Sequence, residues 1–344
     1  FVNYEKDSLW QMERHDKYWE IAENGDQLPY MDGIDHIIMS SQSAQLAAFR
    51  TGRVDRTGIG STNYMTQDQI KLLNDNMGEK VWFGRWPPYG KLMGVNARIA
   101  PYNDVRVRKA ISLWFDRYEA VCIIDECDGY PTAVWAPGSP YGNADFLTWP
   151  GYNKDTKTAD RAEAKKLLTE AGFPDGFKMK ILAGENWVRY AEWAQDDLKG
   201  LIDPNDEGNI SIDVVDNATY GDKRCSGDFE TLNPLSSGVV PRHSPELLSG
   251  GYLSTNKCSY IQHDDKKVDQ MFADIAASTD MKERYQLAQD LEKYLTLETA
   301  LAWNIYLEFR QVAFRDYVKG FIPPTWTPST NADYATTWLD PKLR

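Results

Sequence analysis

Chemistry in this 344-residue chain would have to come from four histidines, four cysteines and the pairings possible among 51 acidic side chains. No motif that positions a nucleophile, a phosphate or a zinc ion is present: there is no GxSxG, no P-loop, no HExxH and no GxGxxG after a strand. The histidines are His15, His36, His243 and His263. His263 precedes Asp264 and Asp265, which fits a metal site or a solvated helix start whose acids favour the helix dipole. The helix start is expected, with no metal. Asp228 and Glu230 flank Phe229 and would share a face of an extended segment, as a glycosidase carboxylate pair requires; an exposed strand edge uses the same residues. No catalytic residue and no cofactor is expected.

Cys122, Cys127, Cys225 and Cys258 fit no zinc pattern, because neither a CxxC pair nor a nearby histidine pair accompanies them. An even count in an export-like chain favours two disulfides, Cys122–Cys127 and Cys225–Cys258, with buried free thiols as the alternative. Trp86, Trp135, Trp149 and Trp326 stand beside proline or glycine in expected loops. There a flat apolar ring stacks on a sugar or an apolar side chain, or else covers a core.

The elements that must position these residues belong to a folded chain long enough for two lobes, with 42% hydrophobic, 12% aromatic and 26% charged residues. A formal net charge of −13 argues against nucleic acid as a partner. No apolar run approaches the roughly 18 residues of a membrane span, and no secretory signal opens the chain. Phe1 is not a natural start, so an upstream segment is expected to be missing. Strands are predicted at 9–13, 34–39 and 81–86, the last stopped by Pro87-Pro88. Ser43 is predicted to cap a helix that Gly52 ends. Asp104 opens a helix whose stripe is Val107, Ile111, Trp114, Tyr118 and Val121. Thr158 caps another, lined by Ala162, Leu167, Leu168 and Ala171. A β-α-β alternation follows at 178–182, 187–202 and 210–215. Residues 221–260 read as loop-rich. Two helices follow, the second opened by Asp280 with Glu283 three residues on, and a short strand starts at Val312.

Several consecutive segments resemble one family, the peptide/nickel/oligosaccharide class of ABC solute-binding proteins (family 5). Residues 14–19, 28–34 and 46–55 resemble its R-N-P-x-Y-W, pYlDgI and aLlsGevD segments. The most specific block joins Gly94-Val95-Asn96-Ala97-Arg98 to Pro101-Tyr102-Asn103-Asp104-Val105-Arg106-Val107-Arg108-Lys109-Ala110-Ile111 and Asp116-Arg117. Its capped helix is expected to carry arginines on the outward side of its first turn. Residues 152–177, Gly227-Asp228-Phe229-Glu230 and Val268-Asp269 also fit, in order. The resemblance implies an α/β fold of the two-lobe periplasmic-binding-protein type, class II and cluster C-like, with lobe I incomplete. Residues 1–90 are expected in lobe I and 91–305 in lobe II, with 306–344 returning to lobe I; the hinge strands fall at 89–96 and 306–312. Family members carry further chain upstream, so the missing N-terminal segment of the same protein is an expected partner.

The resemblance further implies a protein in the periplasm, or on the extracellular face of the cytoplasmic membrane, that closes two lobes on a solute. It would then hand an oligopeptide, oligosaccharide or related solute to an ABC permease. Ligand contacts are expected from Tyr89, Asn96, Trp135, Asn233, Ser236, Ser237, Arg242 and Trp326. Peptide binders of the family place an aspartate in the loop after the G-x-F-D strand. Here Val239 stands near that place, so Arg242 is expected to meet an anionic group, or Ser236 and Ser237 sugar hydroxyls. The alternatives are a solute sensor linked to a membrane receptor and a carboxylate-pair glycoside hydrolase. Without its upstream segment the chain is expected to bind solute weakly.

Overall fold

Alternating apolar and polar residues build the first strands, β1 (Asn3–Glu5), β2 (Leu9–Glu13) and β3 (Gly33–Ile37). In this computed structural model, which describes residues 1–39, 41–57, 65–236, 245–322 and 334–344, they pair antiparallel with Tyr4, Trp10 and His36 in line. Helix α1 (Gln42–Arg50) is capped by Ser41, whose hydroxyl accepts the Ala44 N–H at 3.3 Å. Ser43, the expected cap, lies inside the first turn and bonds the Ser41 hydroxyl instead. Helix α2 (Gln67–Met77) opens with a reciprocal capping box between Thr66 and Gln69. Phe49, Leu73, Val81 and Ala313 form the small core of this part.

Strand β4 (Val81–Asn96) runs through Pro87 and Pro88, where the sequence predicts a stop. Its pairing with a later strand begins at Lys91, so that ladder asks for no N–H from either proline. The chain gathers into two compact units, one of residues 1–87 with 309–344 and one of 88–308.

In the second unit the expected single helix over 104–121 is two, α3 (Val105–Trp114) and α4 (Arg117–Asp125). Asp104 caps the first as expected, accepting the Arg106 N–H at 2.8 Å. The break has a local cause: Phe115 leaves helical geometry, and Asp116 supplies a second cap by accepting the Glu119 N–H at 3.0 Å. The arginines divide as well. Arg106 faces outward and pairs with Asp104, whereas Arg108 is buried and donates to the Tyr102 and Thr299 carbonyls.

After β5 (Gly129–Pro131), α5 (Lys157–Glu170) starts before Thr158, the predicted cap. The Thr156 hydroxyl does not cap it, bonding Asn153 O and Asp160 instead. Strand β6 (Met179–Gly184), α6 (Val188–Ile202) and β7 (Ile210–Val215) form the expected β-α-β alternation, with β6 and β7 parallel. The stretch read as loop-rich contains α7 (Asn217–Ser226), β8 (Thr231–Ser236) and α8 (Pro245–Tyr252). Only Tyr220 of α7 is buried, so its helix has almost no apolar periodicity to read. Strand β9 (Ile261–Gln262), α9 (Lys266–Ala277), α10 (Met281–Lys293) and β10 (Trp303–Arg315) follow. Strands β11 (Val318–Lys319) and β12 (Trp338–Leu339) pair in the first unit. The large sheet has the order β5-β10-β4-β8-β6-β7, with β9 beside β4. Its core includes Leu92, Ile111, Phe115, Ile181, Leu198 and Trp303.

Both disulfides form, Cys122–Cys127 and Cys225–Cys258. They close segments of 5 and 33 positions, and loop-closure entropy grows with that length. Replacing Cys225 and Cys258 by serine is therefore expected to lower the unfolding free energy by about 3–4 kcal/mol, against about 2 kcal/mol for Cys122 and Cys127. Urea titration of the two double variants measures the difference, and equal losses would contradict the entropic account.

A second test concerns the joint of α3, α4, α5 and α6. The Asp197 carboxylate takes Arg161 Nη2 at 3.0 Å and the Asp116 N–H at 3.3 Å, and its side chain is 2% exposed. Burial pushes this carboxyl up from 3.8 to about 7, against the opposing Arg161 charge. The folded chain thus holds a proton that the unfolded chain has lost between about pH 4 and 7, and this contribution to stability falls as pH rises through that window. Relative to Asp197→Asn, wild type is expected to lose about 2–4 kcal/mol between pH 4 and 7. A gain over the variant across the same window would show the carboxylate ionised and its pair with Arg161 dominant.

Candidate functional site

Buried charges inside largely apolar strands mark the site. Lys91 interrupts the apolar end of β4 and Glu308 interrupts β10, and β4 and β10 are neighbours in the sheet. Their side chains meet at 2.9 Å with exposures of 3% and 2%. The Tyr190 hydroxyl donates to the second Glu308 oxygen at 3.2 Å, and the Lys91 ammonium lies 4.5 Å from the Tyr190 ring centroid. Arg189 Nη2 donates to the Tyr190 oxygen at 2.9 Å and reaches the Asp125 carboxylate at 3.3 Å. Helix α6 thus supplies Arg189 and Tyr190, and the last residue of α4 supplies Asp125. Burial, helped by the Glu308 charge, lifts the Asp125 carboxyl to about 6. Burial also raises the Tyr190 and Tyr306 hydroxyls well above their ordinary value. Two cations and two carboxylates form a chain of contacts that runs from the buried Lys91–Glu308 pair out to the exposed Arg189, at the roots of the strands on which the chain enters and leaves this unit. Lys91 is also the partner of Ser236 across β4 and β8.

The predicted ligand residues do not converge among the described residues. Asn96 is buried and structural: its Nδ2 donates to Gly227 O and Phe229 O at 3.1 and 3.2 Å, and its Oδ1 accepts the Arg98 N–H. It ties the Gly227-Asp228-Phe229-Glu230 segment to the end of β4. Trp135 is 1% exposed inside the main core and so offers no ring face to solvent, and its backbone N–H donates to Glu292 at 2.9 Å. Trp149 packs with Phe146 and Tyr152 in a satellite core. Asn233 is fully buried in β8. Tyr89 and Trp86 lie on β4 and Ser236 ends β8, but their side chains lie outside the described residues. Ser237, Arg242 and Trp326 lie outside them altogether, as does Val239.

The expected helix start is present, with Asp265 capping α9 by accepting the Lys267 N–H at 2.9 Å, but His263 just before it is buried and not solvated. Its Nδ1 accepts the Asp265 N–H, so its Nε2 carries the proton and donates to Tyr252 O at 2.6 Å. Among the described residues no three His, Cys, Asp or Glu side chains stand together to hold a metal. Asp228 pairs with Lys223 at 3.2 Å, and Glu230 accepts the Lys180 N–H at 2.9 Å. That gives both carboxylates structural partners. Lys91, Glu308, Tyr190, Arg189 and Asp125 were missed by motif reading, although a charge flanked by apolar residues was visible at Lys91 and Glu308.

A mixed α/β unit entered and left on neighbouring strands has the fold of the periplasmic binding proteins. The periplasmic binding protein DppA of Helicobacter pylori, solved with the peptide STSA, matches with a TM-score of 0.75 at 17% identity, over 99% of this chain and 62% of that one. OppA of Haemophilus influenzae, solved with RPPGFSPFR, matches with a TM-score of 0.71 at 21% identity, over 98% and 63%. The chain belongs to the bacterial extracellular solute-binding proteins, family 5, whose middle-region model matches residues 1–246. The periplasmic oligopeptide-binding protein OppA of Salmonella typhimurium is 24% identical over 90% of this chain and 54% of its own length. The chain therefore spans about half the length of the curated relatives it matches. Among the described residues no helix is long and apolar enough to cross a membrane.

Proposed function

We propose that the chain is the solute-capturing component of a periplasmic ABC importer, that its solute is a peptide, and that it is not an enzyme. The observation that carries this reading is the family match over residues 1–246, joined to curated relatives named as oligopeptide-binding proteins. The two compact units are read as lobe I and lobe II, and β4 and β10 as the crossover strands about which they close. On this reading the solute lies along the end of β8 and residues 237–244, and Arg242 takes an acidic side chain or the carboxylate end of the peptide. An extended peptide needs exposed main-chain edges as well as side-chain pockets, and β8 pairs with β6 only through Thr231 and Leu232.

Native mass spectrometry of the full-length protein, followed by calorimetry with the co-purified solute, tests the reading. Peptides are expected to co-purify with the protein, with weaker binding after Arg242→Met. Recovery of oligosaccharides alone, with no heat from any peptide pool, would replace peptide by sugar. Turnover of a glycoside would overturn the binding-protein reading itself.

A further inference from the structure

The chain of contacts from the buried Lys91 runs out through the exposed Arg189 and ends at a feature that solute capture leaves unused. Asp125 closes α4, and the next two residues, Glu126 and Cys127, hold left-handed backbone at φ 51° and 66°. Residues with a Cβ disfavour that conformation, so it persists only where its surroundings impose it. Here the surroundings are two backbone bonds, Cys127 N–H to Val121 O and Asp128 N–H to Asp125 O, and the Cys122–Cys127 disulfide. Both of its cysteines are exposed, whereas Cys225 and Cys258 are partly buried. Exposure opens a disulfide to thiolate attack.

The closed turn leads directly into β5, which covers one edge of β10. Glu308 stands opposite Gly129, Leu307 opposite Tyr130 and Tyr306 opposite Pro131. The approach is close: a Cβ at Gly129 would lie 2.3 Å from Leu307 O and 3.3 Å from Val121 Cγ1. Glu308 is therefore held from two sides. Its backbone is paired by Gly129, and its carboxylate is reached through Tyr190, Arg189 and Asp125. Both attachments begin within a few residues of the same bridge.

We propose that the Cys122–Cys127 disulfide is a reducible latch that sets how firmly residues 306–308 are held where β10 leaves the second unit. The reductant is an external dithiol. Its thiolate attacks one sulfur and the S–S bond breaks. Two electrons and two protons pass to Cys122 and Cys127 as thiols, while the dithiol closes to its own disulfide. With the ring open, Glu126 and Cys127 relax from left-handed backbone, Asp125 leaves Arg189, and β5 frays from β10. The inference needs the fold alone and stands whatever the solute.

The test titrates the full-length protein with dithiothreitol, maps free thiols by alkylation and mass spectrometry, and follows hydrogen exchange. Cys122–Cys127 is expected to open first. Amides at 129–131 and 306–308 should then exchange roughly tenfold faster while β6 and β7 keep their rates. Cys122→Ser/Cys127→Ser should reproduce this without reductant. If that variant does not fold, wild type at the reductant level that opens only the first bridge gives the same readout. Opening of Cys225–Cys258 first, or unchanged exchange at 306–308 with the first bridge open, would overturn the proposal.

Discussion

Arg117→Met is expected to destabilise the protein by about 3–5 kcal/mol, because one fully buried guanidinium ties together three separate segments of backbone. Its Nε donates to Asn304 O at 2.8 Å, and Nη1 donates to Ser112 O and Gly151 O at 2.9 and 2.8 Å. Nη2 donates to the Ser112 hydroxyl at 3.2 Å, and the guanidinium stacks 3.8 Å from the Tyr152 ring centroid. Methionine fills much of the volume and satisfies none of these acceptors, and Ser112 O is one of the last carbonyls of α3, which need a donor from outside the helix. Lys157 Nζ already supplies Leu113, Phe115 and Gly151 at the same joint, so little capacity remains to replace the loss. Arg117→Lys should recover little, since a compact ammonium cannot span three carbonyls as a planar fork does. For a unit of this size the melting temperature should fall by roughly 8–15 °C. Calorimetry giving Arg117→Lys the wild-type midpoint would show that charge, and not the fork, holds the joint.

That residue also shows how far the sequence could be read. The Asp116-Arg117 pair was visible as a motif, and so was the apolar stripe from Val107 to Val121. The stripe continues across the break because Phe115 turns inward between two helices that bury the same side, so periodicity alone could not show the interruption. The informative signal was Asp116, a capping residue inside an apparent helix. Parallel β6 and β7 were legible because buried strands read as near-continuous apolar runs. Helix α7 was not, since a helix with one buried residue leaves no pattern. Pro87-Pro88 misled for a converse reason: proline forbids only the donors that a ladder uses, and β8 asks for none there.

The candidate site was less legible than the fold. Trp135 was expected to contact a solute and Trp149 to stack or to cover a core, and both are core residues, because a large ring beside proline or glycine covers apolar surface as readily as it exposes itself. Asn96 was singled out on position alone and is consumed in holding the Gly227 turn. The buried charges at the roots of β4 and β10 come from four elements far apart in sequence. No spacing rule connects them; only strand adjacency does.

Lys91→Met alone is expected to cost about 3–5 kcal/mol, whereas Lys91→Met/Glu308→Leu should lie within about 1 kcal/mol of wild type. Removing Lys91 takes the 2.9 Å cation from a Glu308 carboxylate that is 2% exposed and also accepts from the Tyr190 hydroxyl. A buried anion stripped of its cation must either take up a proton or force the strands apart, and both cost free energy. Removing both charges exchanges a desolvated pair for apolar contacts among Leu92, Tyr190, Tyr306 and Leu307, all buried at this end of the sheet. The double-mutant cycle should therefore give a coupling energy above about 2 kcal/mol between the two positions. Urea titrations of the four proteins at pH 7 measure it. A double variant as unstable as the sum of the single ones would mean that Lys91 and Glu308 act separately, and β4 and β10 would then owe their pairing to backbone bonds and apolar packing alone. A charge pair at the roots of β4 and β10 resists their separation through its 2.9 Å contact, whereas leucine and methionine slide past one another.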